Sequence, residues 1–238
     1  MPSVSVVVPV YNEGPSIGGL LGRLFGVLPA DAEVLVVYDS PDDTTAAPLA
    51  EYARSEPRLR PLHNTYGRGP AHALRYGFDS AASPVTVVTM ADDSDDITQI
   101  PDLVGLIRDG NVIAAASRYM KGGAQVGGPF LKKLLSRTAG ISLYWLARVG
   151  TRDATNSFKA YDTAFVRDAG IESQSGFEMG IELVAKARRR RLAVSEIPTT
   201  WKDRTEGESR FRVMKWLPRY LRWYLHAFGP RQRERMAS

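Results

Sequence analysis

Four carboxylates fall within five positions at Asp92, Asp93, Asp95 and Asp96, directly after the apolar stretch 84–91. A hard divalent cation such as Mg²⁺ or Mn²⁺ takes oxygen ligands and is commonly held by one or two carboxylates plus substrate phosphates. Acidity alone would serve equally to cap a subsequent helix; the place of the loop after a buried strand favours the metal. Glu13 and Asp39 also come after apolar, β-branched runs. Asp39 could accept a hydrogen bond from a base or ribose, and Tyr11 could stack on the base. Singly these read as a turn aspartate and a rim tyrosine, and it is their conjunction with the 92–96 loop that points to a nucleotide. Arg204 and Arg210 flank Thr205-Glu206-Gly207-Glu208-Ser209. Two cations on a short polar segment could fold over a diphosphate and stabilise its developing charge; on charge alone the segment reads as a solvated loop.

These groups need a scaffold that brings them together. Residues 3–10 (SVSVVVPV) and 33–38 (EVLVVY) read as strands buried on both faces, with further strands near 58–62, over 84–90, over 111–117 and over 192–197. Helical spacing of Ile17, Leu20, Leu21, Leu24 and Phe25 predicts a helix between the first two strands, and others are expected through Leu49 and Tyr52, over 71–82, near 99–109 and over 176–189. Alternating strands and helices predict an α/β fold with right-handed crossovers and a mostly parallel sheet flanked by helices on both faces. Ligands bind such sheets at the carboxyl ends of the strands, where Pro9–Glu13, Asp39, Asp92–Asp96 and Ser117-Arg118 gather. Residues 129–149 read as one amphipathic helix, and 153–161 as a strand or loop.

The chain of 238 residues has no cysteine and three histidines, which excludes thiolate metal sites and disfavours a histidine-rich one. Gly67-x-Gly69 is too short for a dinucleotide fingerprint, so a nicotinamide oxidoreductase fits poorly. The net charge of +5 is concentrated in Arg188–Arg191 and in 201–235, where arginines alternate with Trp, Tyr and Phe. Nucleic acid would use the same ingredients but leaves the strand-end carboxylates unexplained. No basic lead-in precedes the first strand, and no uncharged stretch approaches the roughly 18 residues of a spanning helix. The expectation is a cytoplasmic protein, peripheral on a membrane's cytoplasmic face. Residues 129–149 and 213–228 would then lie in the interface, unless Trp216, Tyr220, Trp223 and Tyr224 simply cover the core.

The segments 5–13 (SVVVPVYNE), 36–44 (VVYDSPDDT), 116–123 (ASRYMKGG), 153–161 (DATNSFKAY) and 176–211 resemble the dolichol-phosphate mannosyltransferase group of the inverting family-2 glycosyltransferases, from about residue 3 to 225. The resemblance implies a GT-A fold, with 1–212 the catalytic domain and 213–238 an amphipathic tail. It also implies transfer of a sugar from a GDP- or UDP-linked donor to a polyprenyl monophosphate. Pro9, Tyr11, Glu13, Val37 and Asp39 would cradle the nucleotide, Ala91 and Asp92 the diphosphate, with Mg²⁺ or Mn²⁺ on Asp92. Arg118 would line the donor site, and Arg204 and Arg210 would close on it. Lys132, Ser136 and Lys159 would receive the acceptor phosphate. Met90 stands where the family's metal loop begins with Asp, and Val37-Tyr38-Asp39 replaces the usual paired acids. These departures, and the breadth of the first motif, leave two alternatives: a hydroxyl acceptor, or a nucleotide-sugar-binding protein that has lost its chemistry.

Overall fold

The computed structural model describes residues 1–174, 176–203 and 213–230. The strands are β1 (Ser5–Pro9), β2 (Glu33–Tyr38), β3 (Leu59–His63), β4 (Val85–Val88), β5 (Ile113–Ser117), β6 (Ala124–Val126), β7 (Lys159–Asp162), β8 (Val194–Pro198) and β9 (Thr200–Lys202). The helices are α1 (Ile17–Val27), α2 (Ala46–Tyr52), α3 (Pro70–Ser80), α4 (Ile100–Arg108), α5 (Phe130–Ser142), α6 (Thr163–Ala169), α7 (Met179–Arg189) and α8 (Val213–Ala227). Among the described residues, seven strands form one sheet in the order β3-β2-β1-β4-β7-β5-β8, parallel except for β7. The expected α/β class and mostly parallel sheet are therefore present.

The continuous apolar runs have a simple cause. Successive strand residues point to opposite faces, and here both faces are covered. Val6, Val8, Val34 and Val36 pack with Ile17, Leu21, Leu24 and Leu103 on one side. Val7, Leu35 and Val37 pack with Leu74, Phe78, Leu183 and Val184 on the other.

β7 lies antiparallel between β4 and β5, pairing Val85 with Asp162 and Ala115 with Lys159. It splits the parallel series and brings the 153–158 loop beside the ends of β4 and β5. A second, two-stranded sheet pairs β6 with β9. The Lys202 N–H donates to the Ser94 carbonyl at 3.2 Å, so β9 runs beside the acidic loop.

The region 129–149 is not one helix. After α5 the backbone widens into a π turn at Leu143–Ala147 and stops at Arg148, which is in the left-handed conformation. α8 lies on α7, burying Trp223 and Ala227 in the core with Tyr220 and Tyr224 packed against it, while Leu217, Leu221 and Leu225 remain exposed. No helix among the described residues is long and apolar enough to cross a membrane.

Candidate active site

The carboxyl ends of β1, β2, β4 and β5 open into a cleft of about 840 Å³. Of the residues singled out from the sequence, Pro9, Tyr11, Glu13, Asp39, Asp92, Arg118, Lys132 and Ser136 line it. The parallel topology accounts for most of that gathering, since every parallel strand delivers its last residues to the same edge.

Local bonds then shape each loop. Asn12 adopts φ 58°, a left-handed conformation that asparagine tolerates. Its N–H donates to both oxygens of Asp43 at 3.1 Å, and the Glu13 N–H donates to Thr45 Oγ1 at 2.9 Å. The loop after β1 is thus tied to the loop after β2. Asp39 is also held in place: Asn64 Nδ2 donates to its Oδ1 at 2.8 Å, and the Gly69 N–H donates to its Oδ2 at 2.7 Å.

The four carboxylates after β4 divide their work. Asp93 pairs with Arg23 on α1. Asp96 caps the turn before α4, accepting from the Thr98 N–H at 3.2 Å. Asp92 and Asp95 line the cleft. The capping reading of this loop therefore holds for Asp96, and Asp92 and Asp95 are the two carboxylates left facing the cleft. Asp95 Oδ2 accepts from the Met90 N–H at 3.1 Å and from Thr89 Oγ1 at 3.0 Å. Burial, reinforced by the charge of Asp92, pushes the Asp95 carboxyl up to about 7 against the pull of those hydrogen bonds. Asp95 thereby organises the backbone of Met90, the position that lacks a carboxylate.

Among the described residues no group of three or more histidines and carboxylates forms a metal cluster. Two carboxylates facing one cleft match the other kind of site, in which a hard cation is held by one or two carboxylates and by the phosphates of its substrate. That donor set fits Mg²⁺ or Mn²⁺ on Asp92, with Asp95 adjacent.

Arg118 faces the same space from the end of β5, and the sequence reading missed what holds it there. Asp153 is fully buried and accepts from the Arg118 N–H at 3.0 Å, from Nε at 2.7 Å and from Nη2 at 2.9 Å. Burial would raise the Asp153 carboxyl, but the guanidinium outweighs it and the net shift is downward. The available signal was that a buried arginine requires an acid nearby, and Asp153 opens the segment 153–161. Trp201 and Tyr119 were missed too: the Arg118 guanidinium lies 5.9 Å and 5.0 Å from their ring centroids.

Three expected site residues do not line the cleft. Lys159 requires correction as a ligand of the acceptor phosphate. It is 0% exposed, on the interior strand β7, and its ammonium donates to the carbonyls of Ala154 (3.3 Å) and Asn156. Burial first, then Arg118 nearby, lower its pKa to about 8, with Asp153 opposing. Val37 is buried, and its carbonyl accepts from the Val10 N–H at 2.9 Å, joining β1 to β2. Ala91 packs against the core beneath the loop. Arg204 and Arg210 lie outside the described residues. On the far wall, α5 presents Lys132 and Ser136 to the cleft, and its leucines Leu131 and Leu134 to solvent.

Comparison with known proteins gives a consistent result. The profile described as Glycosyl transferase family 2 matches residues 5–168. Dolichol-phosphate mannosyltransferase of Pyrococcus furiosus is 30% identical over 230 residues, covering 92% of this chain and 64% of that protein. The chain thus spans less than two thirds of that relative's length. Polyprenol monophosphomannose synthase of Mycolicibacterium smegmatis is 29% identical over 227 residues, covering 89% of this chain and 85% of its own. Among solved structures, glucosyl-3-phosphoglycerate synthase from Mycobacterium tuberculosis, in complex with Mn²⁺, UDP and phosphoglyceric acid, superposes with a TM-score of 0.68 at 16% identity. It covers 97% of this chain and 80% of that one. A mannosyltransferase from Pyrobaculum calidifontis, in complex with GDP-Man and Mn²⁺, gives 0.64 at 20%, covering 94% and 63%. At these identities the structures speak to the fold, which is GT-A.

Proposed function

The chain belongs to glycosyl transferase family 2, and from that premise we propose that it moves a sugar, with inversion, from a nucleoside-diphosphate sugar to a polyprenyl monophosphate. One observation carries this reading. A single cleft has acids and Arg118 on the strand-end wall and Lys132 with Ser136 on the α5 wall, with exposed leucines beside the latter. That is a place for two phosphates and an apolar tail.

Tyr11 and Asp39 hold the nucleoside, and Arg118 stabilises charge on the diphosphate as it departs. Mg²⁺ or Mn²⁺ on Asp92 supplies further positive charge there when bound. Lys132 and Ser136 receive the acceptor phosphate. One of its anionic oxygens attacks the anomeric carbon, the bond from that carbon to the diphosphate oxygen breaks, and the nucleoside diphosphate leaves with the electron pair. A phosphate is already ionised near neutral pH, so the reaction needs no strong base, and positioning supplies most of the acceleration. The lipid reaches the cleft from a membrane surface, on which the exposed leucines of α5 and α8 rest.

A hydroxyl acceptor is the second reading, favoured by Asp95: a second carboxylate facing the cleft is placed to take a proton from a hydroxyl. The test is incubation with Mn²⁺ or Mg²⁺, a panel of nucleotide sugars, and either a short polyprenyl monophosphate or soluble alcohols, with products read by mass spectrometry. A lipid-phosphate hexose is the expected product. Glycosylated alcohol without lipid product would move the second reading to first place.

A further inference from the structure

The two walls of the cleft meet at one side chain to which neither the sequence analysis nor the reaction has given a role. Tyr119, half-buried at the end of β5, places its hydroxyl 2.5 Å from Ser136 Oγ on α5 and 3.1 Å from Gln125 Oε1 on β6. Its ring lies 5.0 Å from the Arg118 guanidinium. The residue therefore touches the donor-side cation with its face and the acceptor-side hydroxyl with its edge.

Proton counting gives this contact a direction. The tyrosine has one proton and Gln125 Oε1 has none to give. When Tyr119 donates to Gln125, Ser136 must donate to Tyr119, and the serine proton is committed. When Tyr119 donates to Ser136 instead, the serine proton is released, with the Lys133 carbonyl at 3.2 Å as its resting acceptor. An anionic phosphate oxygen brings no proton and requires a donor, so it is served only by the second arrangement. Burial raises the Tyr119 pKa further above neutrality, which keeps the phenol a donor throughout the working range.

We propose that Tyr119 is a positioning residue for the acceptor: its hydroxyl donates a hydrogen bond to Ser136 Oγ, so that the Ser136 hydroxyl is free to donate to an anionic acceptor oxygen. This rests on the reading of the acceptor as a phosphate. Lys133 braces the arrangement from the same helix, donating to the Gln125 carbonyl at 3.1 Å, and this holds α5 in register with β6.

The experiment begins with the parent protein, a short polyprenyl monophosphate and whichever nucleotide sugar it uses. If the parent forms no lipid-linked product, the acceptor reading fails before any variant is made, and the proposal falls with it. With an active parent, Tyr119→Phe should raise the acceptor KM severalfold, because the Ser136 proton is then left on the Lys133 carbonyl with nothing to turn it toward the acceptor, while donor KM moves less than about twofold. Ser136→Ala, which removes the donor itself, should raise it roughly tenfold, the size expected for a hydrogen bond to a charged group, and the double variant should be no worse than Ser136→Ala. An unchanged acceptor KM, an equal rise in donor KM, or full additivity would overturn the proposal. Should Tyr119→Phe fail to fold, Gln125→Leu supplies the opposite sign. Without its competing acceptor the tyrosine hydroxyl donates to Ser136, and acceptor KM should fall roughly two- to threefold; a rise or no change would again count against it.

Discussion

Replacing Asp153 with Asn tests what the buried pair with Arg118 contributes. The carboxylate accepts three hydrogen bonds from Arg118, one from the Asn156 N–H at 3.1 Å and one from Thr155 Oγ1 at 3.2 Å. Asparagine preserves the shape but brings an NH₂ group toward donors, and it leaves a guanidinium only 9% exposed without its countercharge. Removing one partner of a buried pair costs about 3–5 kcal/mol. In a chain of this size a kcal/mol moves Tm by about 2–4 °C, so the expected drop is on the order of 10 °C. Arg118→Met in the same background removes the orphaned charge and should restore most of the loss, so that the two effects couple by at least about 3 kcal/mol. Donor binding should stay lost in that double variant, because Arg118 faces the cleft. The pH dependence carries its own sign. Asp153 has a lowered pKa, so its stabilisation is present above the ordinary carboxylate range near 3.8 and disappears as pH falls through its depressed value. The assay is urea unfolding monitored by tryptophan fluorescence, with nucleotide titration in parallel. An Asp153→Asn protein within about 0.5 kcal/mol of the parent, or a double variant as unstable as the sum of its parts, would refute the reasoning.

Three other outcomes are expected. Asp92→Ala should abolish transfer and weaken Mn²⁺ binding while changing stability by about 1 kcal/mol or less, since the residue is half-exposed; near-normal turnover would remove Asp92 from the metal site. Lys159→Met should abolish a slope in stability between pH 8 and 10.5. In the parent the unfolded chain binds more protons across that window, so stability rises with pH by up to about 3 kcal/mol, and identical parent and variant profiles would show that the amine is not desolvated. Exchanging the exposed Leu131, Leu134, Leu221 and Leu225 for Ser should lower affinity for anionic vesicles, read by co-sedimentation, by roughly three orders of magnitude, at about 1 kcal/mol for each leucine, with little effect on unfolding. Undiminished sedimentation would place the membrane contact elsewhere.

The parts of this molecule that were legible beforehand share a physical property. β1, β2, β4 and β5 are buried on both faces, so their sequences are apolar without alternation, and each ends in polar residues that the parallel topology must deliver to one edge. Glu13, Asp39, Asp92 and Arg118 were readable as a set for that reason. β7 offered no such signal. Lys159-Ala160-Tyr161-Asp162 carries two charges in four residues, and its antiparallel position between β4 and β5 depends on pairing with strands far away in sequence.

The two lysines assigned to the acceptor phosphate differ for the same reason. They are the same residue type, in segments that resemble the same family, yet they have opposite fates. Lys132 sits on a helix with one wall in the cleft, whereas Lys159 sits mid-sheet, where its ammonium meets backbone carbonyls and feels the Arg118–Asp153 pair and Asp95. α5 shows the complementary limit. Its apolar stripe was visible as a period, but a period defines a face and not what covers it, and the face carrying Leu131 and Leu134 turns away from the core. Contacts such as Asp153 with Arg118 and Tyr119 with Ser136 belong to this second kind. They are created by where β7 and α5 come to rest, and they determine how the legible residues are aimed.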